Sequence, residues 1–270
     1  EGIWIEDVAG RRYMDFHGNN VHHIGYGHPR LKKAIADQMD ALSFAPRRYA
    51  CEPALALAEK LGSIAPGKLS KVLFTTGGSD AIEVAVKLAR TATGRHKTLS
   101  FWDAFHGAGF GAGALSGESL FRSGPASPLI AGATHVAPFA CYRCPYGYPV
   151  DAAGAPRLDL CNTQCARMVD YVLGREGDVA AVIAEPARAI SYLPPPGFWK
   201  IVREACDRHG VLLIADEVAV GIGRTGTMFA FEQAHIRPDF LCLSKGITGG
   251  YLPLSCVVTT DDIYRQFYDD

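Results

Sequence analysis

The sequence contains no apolar run long enough to cross a membrane, and its first residues do not form the apolar stretch of a secretory signal. Its formal net charge is −1, with acidic and basic residues interspersed, so bulk charge favours neither nucleic acid nor a membrane surface as a partner. We find no internal repeat and no low-complexity tract. We therefore predict a globular cytoplasmic protein with small-molecule partners, and no binding to nucleic acid or membrane.

Cysteine is scarce, since eight residues in 270 are too few for a fold held by disulfides. Four cysteines stand singly in apolar or helical contexts and are expected to be buried thiols: Cys51, Cys206, Cys242 and Cys256. The other four form two pairs whose spacing resembles that of metal ligands: Cys141 with Cys144, and Cys161 with Cys165. The sequence between the pairs is ordinary loop sequence rich in proline and glycine. We therefore favour a surface insertion with free thiols over a zinc site and predict no bound metal.

What the sequence does have is ample apolar material, because 48% of its residues are hydrophobic. This length suits one large α/β domain, or one domain with part of another. The chain opens on Glu1 rather than on methionine and stops in QFYDD, just after a predicted helix begins. We therefore expect the protein to continue at both ends.

The first part of the chain predicts a hairpin and two helices. Residues 3–16 alternate as two strands around a turn at Ala9 and Gly10. Residues 28–42 have helical periodicity and begin with a proline, and residues 52–65 form a second helix that ends at Pro66 and Gly67.

From residue 71 onward, short apolar strands alternate with helices. We predict strands at 71–76, 97–102, 179–186, 211–218, 239–245 and 253–260, and helices within 77–93, 103–117 and 196–210. This order predicts an α/β fold with a mostly parallel sheet covered by helices on both faces. Ligands of such sheets bind beyond the carboxyl ends of the strands.

Those strand ends carry the residues that invite a chemical interpretation: Gly77, Gly78, Ser79, Phe105, His106, Glu185, Asp216 and Lys245. Each has an ordinary alternative explanation. The glycines and the serine could simply cap a helix, Asp216 could cap the next turn, and Lys245 could form an ion pair in the core. Phe105 and His106 could serve packing alone, and Glu185 could be a surface carboxylate.

Taken together, these residues suit pyridoxal phosphate. That cofactor requires a lysine for a Schiff base, a carboxylate at its pyridine nitrogen, a phosphate site and apolar side chains on both ring faces. Lys245 and Asp216 match the first two requirements. Gly78 and Ser79 at a helix start match the third, and Phe105 and Val218 match the ring faces.

Several motifs resemble the class III, or omega, aminotransferases of fold type I. They are GGSDAIEVAVKLAR, FHG, the DEV…GIGRTG run and KGITGGYLPL, which occur in the family's order. The resemblance implies that Lys245 forms the Schiff base, that Asp216 pairs with the ring nitrogen, and that Val218 packs behind the ring. It places Glu185 near the cofactor's O3′ and the substrate. It also implies a homodimer with a shared active site.

By the same resemblance, residues 1–48 contribute to a small domain and residues 49–270 form the cofactor-binding large domain. Three features depart from the family's pattern. Phe105 replaces the usual tyrosine, and Arg188 stands in EPARAISYLPPPG where the family commonly has EPxxQGxGG. The family's phosphate-binding threonine from the second subunit would lie beyond residue 270.

The resemblance leaves two reactions open. The downstream half, especially LCLSKGITGGYLPLS, is similar to the aminotransferases that make diaminopelargonate. This favours transfer of an amino group from an amine or omega-amino acid to an oxo acid. The upstream half, with YMDFHGNNVHHIGYGHP, is similar to a branch that includes ammonia-lyases of aminoethylphosphonate-type or phosphorylated amines.

Substrate-facing residues would distinguish the two reactions, and we predict them at Arg47, Arg48, Arg188, Asn19, Asn20, His22 and His23. We select Arg188 and Arg48 as the substrate residues, although PRRY could equally be a solvated turn. A subunit that keeps the fold without activity is the non-enzymatic alternative.

Overall fold

The computed structural model describes residues 2–46, 48–190 and 192–267, so Arg47 lies outside the described residues. The strands are β1 (Trp4–Glu6), β2 (Arg12–Met14), β3 (Leu69–Thr75), β4 (Lys97–Phe101), β5 (Ala133–Val136), β6 (Val179–Ala184), β7 (Leu212–Asp216), β8 (Phe240–Leu243) and β9 (Ser255–Thr260). The α-helices are α1 (Pro29–Ala41), α2 (Glu52–Ile64), α3 (Gly78–Thr93), α4 (Phe110–Leu115), α5 (Gln164–Glu176), α6 (Phe198–His209) and α7 (Asp261–Tyr264). Among the described helices, none is long and apolar enough to span a membrane.

The predicted N-terminal hairpin is confirmed. Strand β1 pairs antiparallel with β2, with Trp4 opposite Met14. In the turn between them, Oδ1 of Asp7 accepts hydrogen bonds from the backbone N–H groups of Ala9 and Arg11. Gly10 has a φ of +78°, a left-handed conformation that glycine adopts without steric cost. The predicted helices over 28–42 and 52–65 are confirmed as α1 and α2.

Within the described residues, a seven-stranded sheet has the order β3-β9-β8-β7-β6-β4-β5. Its four neighbouring pairs from β8 to β5 are parallel, and only β9 runs antiparallel to both neighbours. The predicted α/β fold with a mostly parallel sheet is therefore confirmed. Strands β6, β7 and β8 contain little but apolar residues because helices cover both of their faces.

Each face of the sheet has its own core. On one face, Leu213 and Leu241 pack with Val202 of α6. On the other face, Ile214 of the central strand packs with Ile82 of α3. The alternation of side chains along each strand thus sends successive apolar residues into two different helical layers.

Two elements were not predicted, and one is shorter than predicted. Strand β5 is a short edge strand with mostly half-buried residues, which gives a weak sequence signal. Helix α5 begins directly after the second cysteine pair, whose metal-like spacing diverts attention from helical periodicity. The helix predicted within 103–117 is reduced to α4, which carries glycine at residues 111 and 113 and begins after Gly109.

The topology brings five strand ends to one edge of the sheet. The chain moves outward from β4 to the edge strand β5 and returns to the other side of β4 as β6. Such a reversal of strand order opens a crevice beyond the carboxyl ends of the strands. The loops after β3, β4, β6, β7 and β8 all leave the sheet at this edge.

Candidate active site

A cavity of about 510 Å³ lies at this edge of the sheet. The predicted residues that line it are Gly78, Ser79, Phe105, His106, Glu185, Arg188, Asp216, Val218 and Lys245. They come from five different loops, so the fold rather than sequence proximity brings them together. Of the predicted cofactor-binding residues, Gly77 alone does not line the cavity.

Asp216 is a buried carboxylate with two hydrogen-bond partners. Its side chain is 4% exposed, and its Oδ2 lies 2.7 Å from Nδ1 of His106, whose side chain is fully buried. Oδ1 accepts a hydrogen bond from the backbone N–H of Val218 at 3.0 Å. His106 is itself positioned, since its backbone N–H donates to Oγ of Ser116 at 2.9 Å. These contacts offset the cost of burying the carboxylate and fix its orientation.

Lys245 follows β8 and begins a short 3₁₀ helix, Lys245–Ile247. Its φ is +41°, a left-handed conformation that is costly for a residue with a side chain. Within residues 2–46, 48–190 and 192–267, no carboxylate forms an ion pair with its amine. The half-buried lysine therefore brings an amine without a counter-ion into the same cavity as Asp216.

The start of α3 forms another wall of the cavity. Gly78 and Ser79 occupy its first turn, where backbone N–H groups lack intrahelical partners and the helix dipole favours an anion. A Cβ on Gly78 would lie 3.1 Å from Cγ1 of Val218, and one on Gly107 would lie 2.5 Å from Oγ of Ser79. Glycine at these two positions therefore permits the close approach of three chain segments around this helix end.

Gly77 lies just outside the cavity as the residue that precedes α3. Its carbonyl oxygen accepts a hydrogen bond from Oγ of Ser255 at 2.7 Å. Ser255 belongs to β9, so this contact ties the start of the helix to the sheet.

A buried trio of one arginine and two glutamates forms the opposite wall. Nε of Arg188 lies 3.4 Å from Oε1 of Glu185, and Nη2 donates to Oε1 of Glu118 at 2.8 Å. Burial, followed by the negative charge of Asp216, raises the pKa of Glu185. The side chain of Arg188 is 5% exposed, so the surface alternative for this arginine is wrong.

Phe105 contributes an apolar wall. Its ring centre lies 4.7 Å from that of Phe121, and its backbone N–H donates to Oε1 of Glu185 at 3.4 Å. Val218 lines the same cavity beside the end of β7. Both residues predicted for the ring faces are therefore present at the site.

The other predicted substrate residues divide into two groups. Asn19 lines the cavity, whereas Arg48 is exposed and does not. Nε2 of His22 hydrogen-bonds with the carbonyl oxygen of Asp15 at 2.8 Å, and Nε2 of His23 lies 3.2 Å from that of Gly221. His22, His23 and Asn20 do not line the cavity, so a substrate role for them and for Arg48 stays a prediction.

Sequence reasoning missed Glu118, Phe121 and Ser116. All three lie in the loop region after β4, where glycine and serine are frequent and no periodicity marks an inward-facing residue. One signal was available, because a buried Asp216 requires a donor. That requirement pointed to some partner without identifying His106.

Glu217, next to Asp216, is a second buried acid with a structural environment. Its two carboxylate oxygens accept hydrogen bonds from the backbone N–H groups of Ala230 and Phe231, each at 2.8 Å. Burial raises the pKa of Glu217 to about 7. Glu217 thus ties the segment near residue 230 to the end of β7, behind the cavity.

The two cysteine pairs meet away from this site. Cys141, Cys144, Cys161 and Cys165 line a small cavity of about 10 Å³, and all are free thiols. In the part of the chain that the structure describes, no group of three or more histidine, cysteine, aspartate or glutamate side chains could hold a metal ion.

Comparison with known proteins identifies the family. The family model described as "Aminotransferase class-III" matches residues 1–269. Among curated relatives, the (R)-1-hydroxy-2-aminoethylphosphonate ammonia-lyase of Vibrio splendidus is 42% identical over 268 residues, covering 97% of this chain and 56% of the relative. The adenosylmethionine-8-amino-7-oxononanoate aminotransferase of Nitratidesulfovibrio vulgaris is 38% identical over an aligned length of 287 residues, covering 99% and 50%.

A solved structure extends the comparison to three dimensions. The taurine:2-oxoglutarate aminotransferase of Bifidobacterium kashiwanohense, in complex with PLP and glutamate, has a TM-score of 0.91 and 34% identity, covering 99% of this chain and 60% of that one. The chain spans about half the length of the curated relatives named above. Both resemblances stated from the sequence, to the ammonia-lyase branch and to the aminotransferases that make diaminopelargonate, are confirmed. The chain belongs to the class III aminotransferases.

Proposed function

We propose that the protein is a pyridoxal-phosphate-dependent aminotransferase that moves an amino group from an amine or omega-amino acid to an oxo acid. The observation that carries this proposal is that Lys245 and Asp216 line one cavity with the start of α3. An amine, a buried acid and an anion site are the three features that this cofactor requires. Family membership independently supports the same cofactor.

The residues present fit pyridoxal phosphate. Lys245 supplies an amine that has no ion-pair partner among the described residues. The Gly78 and Gly107 positions leave space at the helix start that a Cβ would fill. Gly78 and Ser79 would hold the phosphate through backbone N–H groups, and Ser79 could add its hydroxyl. Gly77 would support this turn from outside.

The cofactor, when bound, stabilises negative charge on the substrate carbon beside the amine. Asp216 would hold a proton at the pyridine nitrogen through its carboxylate. His106 keeps that carboxylate in place through the 2.7 Å contact between Nδ1 and Oδ2. Phe105 and Val218 would cover the ring faces and exclude water, which strengthens electrostatic interactions in the site.

Lys245 would have two tasks. Its Nζ would hold the cofactor covalently before the substrate arrives. Once released, the same amine could take a proton from the substrate carbon and return one to the product as general base and acid. Glu185, whose pKa is raised by burial, would donate or accept a hydrogen bond on the substrate side.

We further propose a cytoplasmic homodimer with a shared active site. Large apolar side chains that remain exposed near the cavity, such as Phe110 and Leu120, are available for such an interface. We also propose that residues 1–48 contribute to a small domain beside the large domain of residues 49–270. The contact that supports this division is local, since the backbone N–H of His28 donates to Oη of Tyr251 at 2.6 Å.

A screen of primary amines tests the proposed reaction. Holoenzyme is incubated with each amine, with and without an oxo acid, and both amino-acid product and free ammonia are measured. Aminotransfer predicts a product only when the oxo acid is present, with no release of ammonia. Absence of transfer for every amine, in protein that holds the cofactor, would contradict the proposal.

Ammonia-lyase activity is the second candidate. The observation that favours it is the 42% identity with the Vibrio splendidus protein, whose name describes loss of ammonia from a hydroxylated aminoethylphosphonate. The described cofactor contacts would serve either reaction, because both begin with loss of a proton from the same carbon. Release of ammonia without an oxo acid would favour the lyase. A protein without visible cofactor absorbance would favour a non-enzymatic subunit.

A further inference from the structure

Arg188 is locked into the wall of the cavity. Its guanidinium carbon lies 5.6 Å from the ring centre of Tyr192, and its backbone N–H donates to the carbonyl oxygen of Tyr192 at 2.9 Å. Because its side chain is 5% exposed, the charged group cannot turn to water without moving this loop. The arginine is therefore a fixed positive charge in the same cavity as Lys245.

The donors of this guanidinium are only partly used. Nη2 contacts Glu118, and Nε makes a longer contact of 3.4 Å with Glu185. Nη1 is buried and has no hydrogen-bond partner in the described part of the chain. A buried donor without an acceptor is costly, so a ligand that accepts from Nη1 and Nη2 together would improve this environment.

The two glutamates differ in how firmly they are held. Glu185 is buried, and its raised pKa reduces the negative charge that it presents to Arg188. Glu118 is 32% exposed and lines the cavity, so its carboxylate can exchange Arg188 for water at modest cost. Glu118 is therefore the partner that a ligand can replace.

We propose that Arg188 binds a second, anionic group of the substrate and that Glu118 occupies this position when no such group is present. This inference rests on the proposed function and narrows its amine to one that also carries a carboxylate, sulfonate or phosphonate. Such an oxyanion accepts two parallel hydrogen bonds from Nη1 and Nη2, which a single lysine amine cannot reproduce. The displaced Glu118 turns towards solvent.

A matched pair of amines tests this site in the holoenzyme. The pair is 2-aminoethylphosphonate and 3,3-dimethylbutylamine, which has a tert-butyl group in place of the phosphonate. Relative to the neutral amine, Arg188→Lys is expected to raise the KM of the phosphonate by about tenfold or more. Glu118→Gln removes the competing charge and is expected to lower the same KM ratio by about threefold or more. A KM ratio within about twofold of the parent value in both variants would overturn the proposal.

A binding measurement separates this inference from the proposed reaction. Ethylphosphonate has no amine and cannot react, so its affinity for the holoenzyme is measured by calorimetry. Weaker binding in Arg188→Lys and tighter binding in Glu118→Gln support the site, whereas equal affinity in all three proteins refutes it. If Arg188→Lys does not fold, Glu118→Gln decides, because Glu118 is partly exposed. A parent enzyme that converts neither amine contradicts the proposed reaction, while the ethylphosphonate titration still decides the anion site.

Discussion

Nδ1 of His106 lies 2.7 Å from Oδ2 of Asp216, and both side chains are almost completely buried. A carboxylate can only accept hydrogen bonds, so Nδ1–H of His106 donates. The second carboxylate oxygen is held by the backbone N–H of Val218. Asp216 is thus fixed on both sides, and its charge is kept in the cavity that Lys245 shares.

Asp216→Asn is expected to keep the cofactor and lose most of the activity. An amide cannot stabilise a proton on the pyridine nitrogen, so kcat/KM should fall by about three orders of magnitude, or ~4 kcal/mol. Steady-state kinetics measure this loss, and visible absorbance checks that cofactor remains. Asp159→Asn, an exposed aspartate in the insertion, is the matched control. A decrease of less than about tenfold would count against the role of Asp216.

Glu217 is expected to make stability depend on pH. Its pKa is about 7 in the folded protein and near 4.5 when unfolded, so the folded state binds the proton more tightly. This contribution is fully present below about pH 4.5 and is lost as the pH rises through about 7, a difference on the order of 3 kcal/mol.

Glu217→Gln should therefore flatten the fall in unfolding free energy between pH 5 and pH 8. Chemical denaturation at the two pH values measures the difference between parent and variant. That difference isolates Glu217, because Glu185, whose pKa is also raised, is unchanged. Glu204→Gln, at an exposed position, should leave the parent's pH dependence intact. An equally steep pH dependence in parent and Glu217→Gln would refute the assignment.

The four clustered cysteines are expected to bind no structural metal. Burial raises the pKa of Cys165 to about 12, and burial likewise raises the pKa of Cys141, so their thiols stay protonated at neutral pH. Elemental analysis of purified protein should find no stoichiometric zinc. One zinc per chain that disappears in Cys141→Ser or Cys161→Ser would reverse this prediction.

Active protein is expected to sediment as a homodimer. The glycines within residues 107–113 and 246–250 permit close backbone approach around the cavity, and fold type I enzymes build their site between two subunits. Sedimentation velocity across a concentration series measures the mass of the species. Monomers that retain full activity would contradict a shared active site.

The sequence predicts most of this fold because its strands are short apolar runs that end at glycine, proline or a charged residue. The same regularity places Asp216 and Lys245 at strand ends, and strand ends meet at one edge of a parallel sheet. The residues lining the cavity could therefore be selected before any distance was known. Edge strand β5 escaped prediction because its residues are only half-buried.

The contacts between side chains were less predictable. Glu118 reaches Arg188 across 70 positions of sequence, and the path of the loop after α4 decides that contact. Arg188 was recognised as unusual for the family, but its two carboxylate partners depend on tertiary structure. Asn19 lines the cavity while neighbouring His22 does not, because this segment turns through residues with positive φ.

The most direct test of the account is to locate the cofactor on the chain. Holoenzyme is reduced with borohydride, digested and analysed by mass spectrometry, with Lys245→Ala treated in parallel. The account predicts a pyridoxyl group on Lys245, a visible absorbance band that reduction abolishes, and a folded Lys245→Ala variant with neither the label nor turnover. A pyridoxyl group on a different lysine, or near-normal turnover in Lys245→Ala, would contradict the assignment of Lys245 and with it the proposed active site.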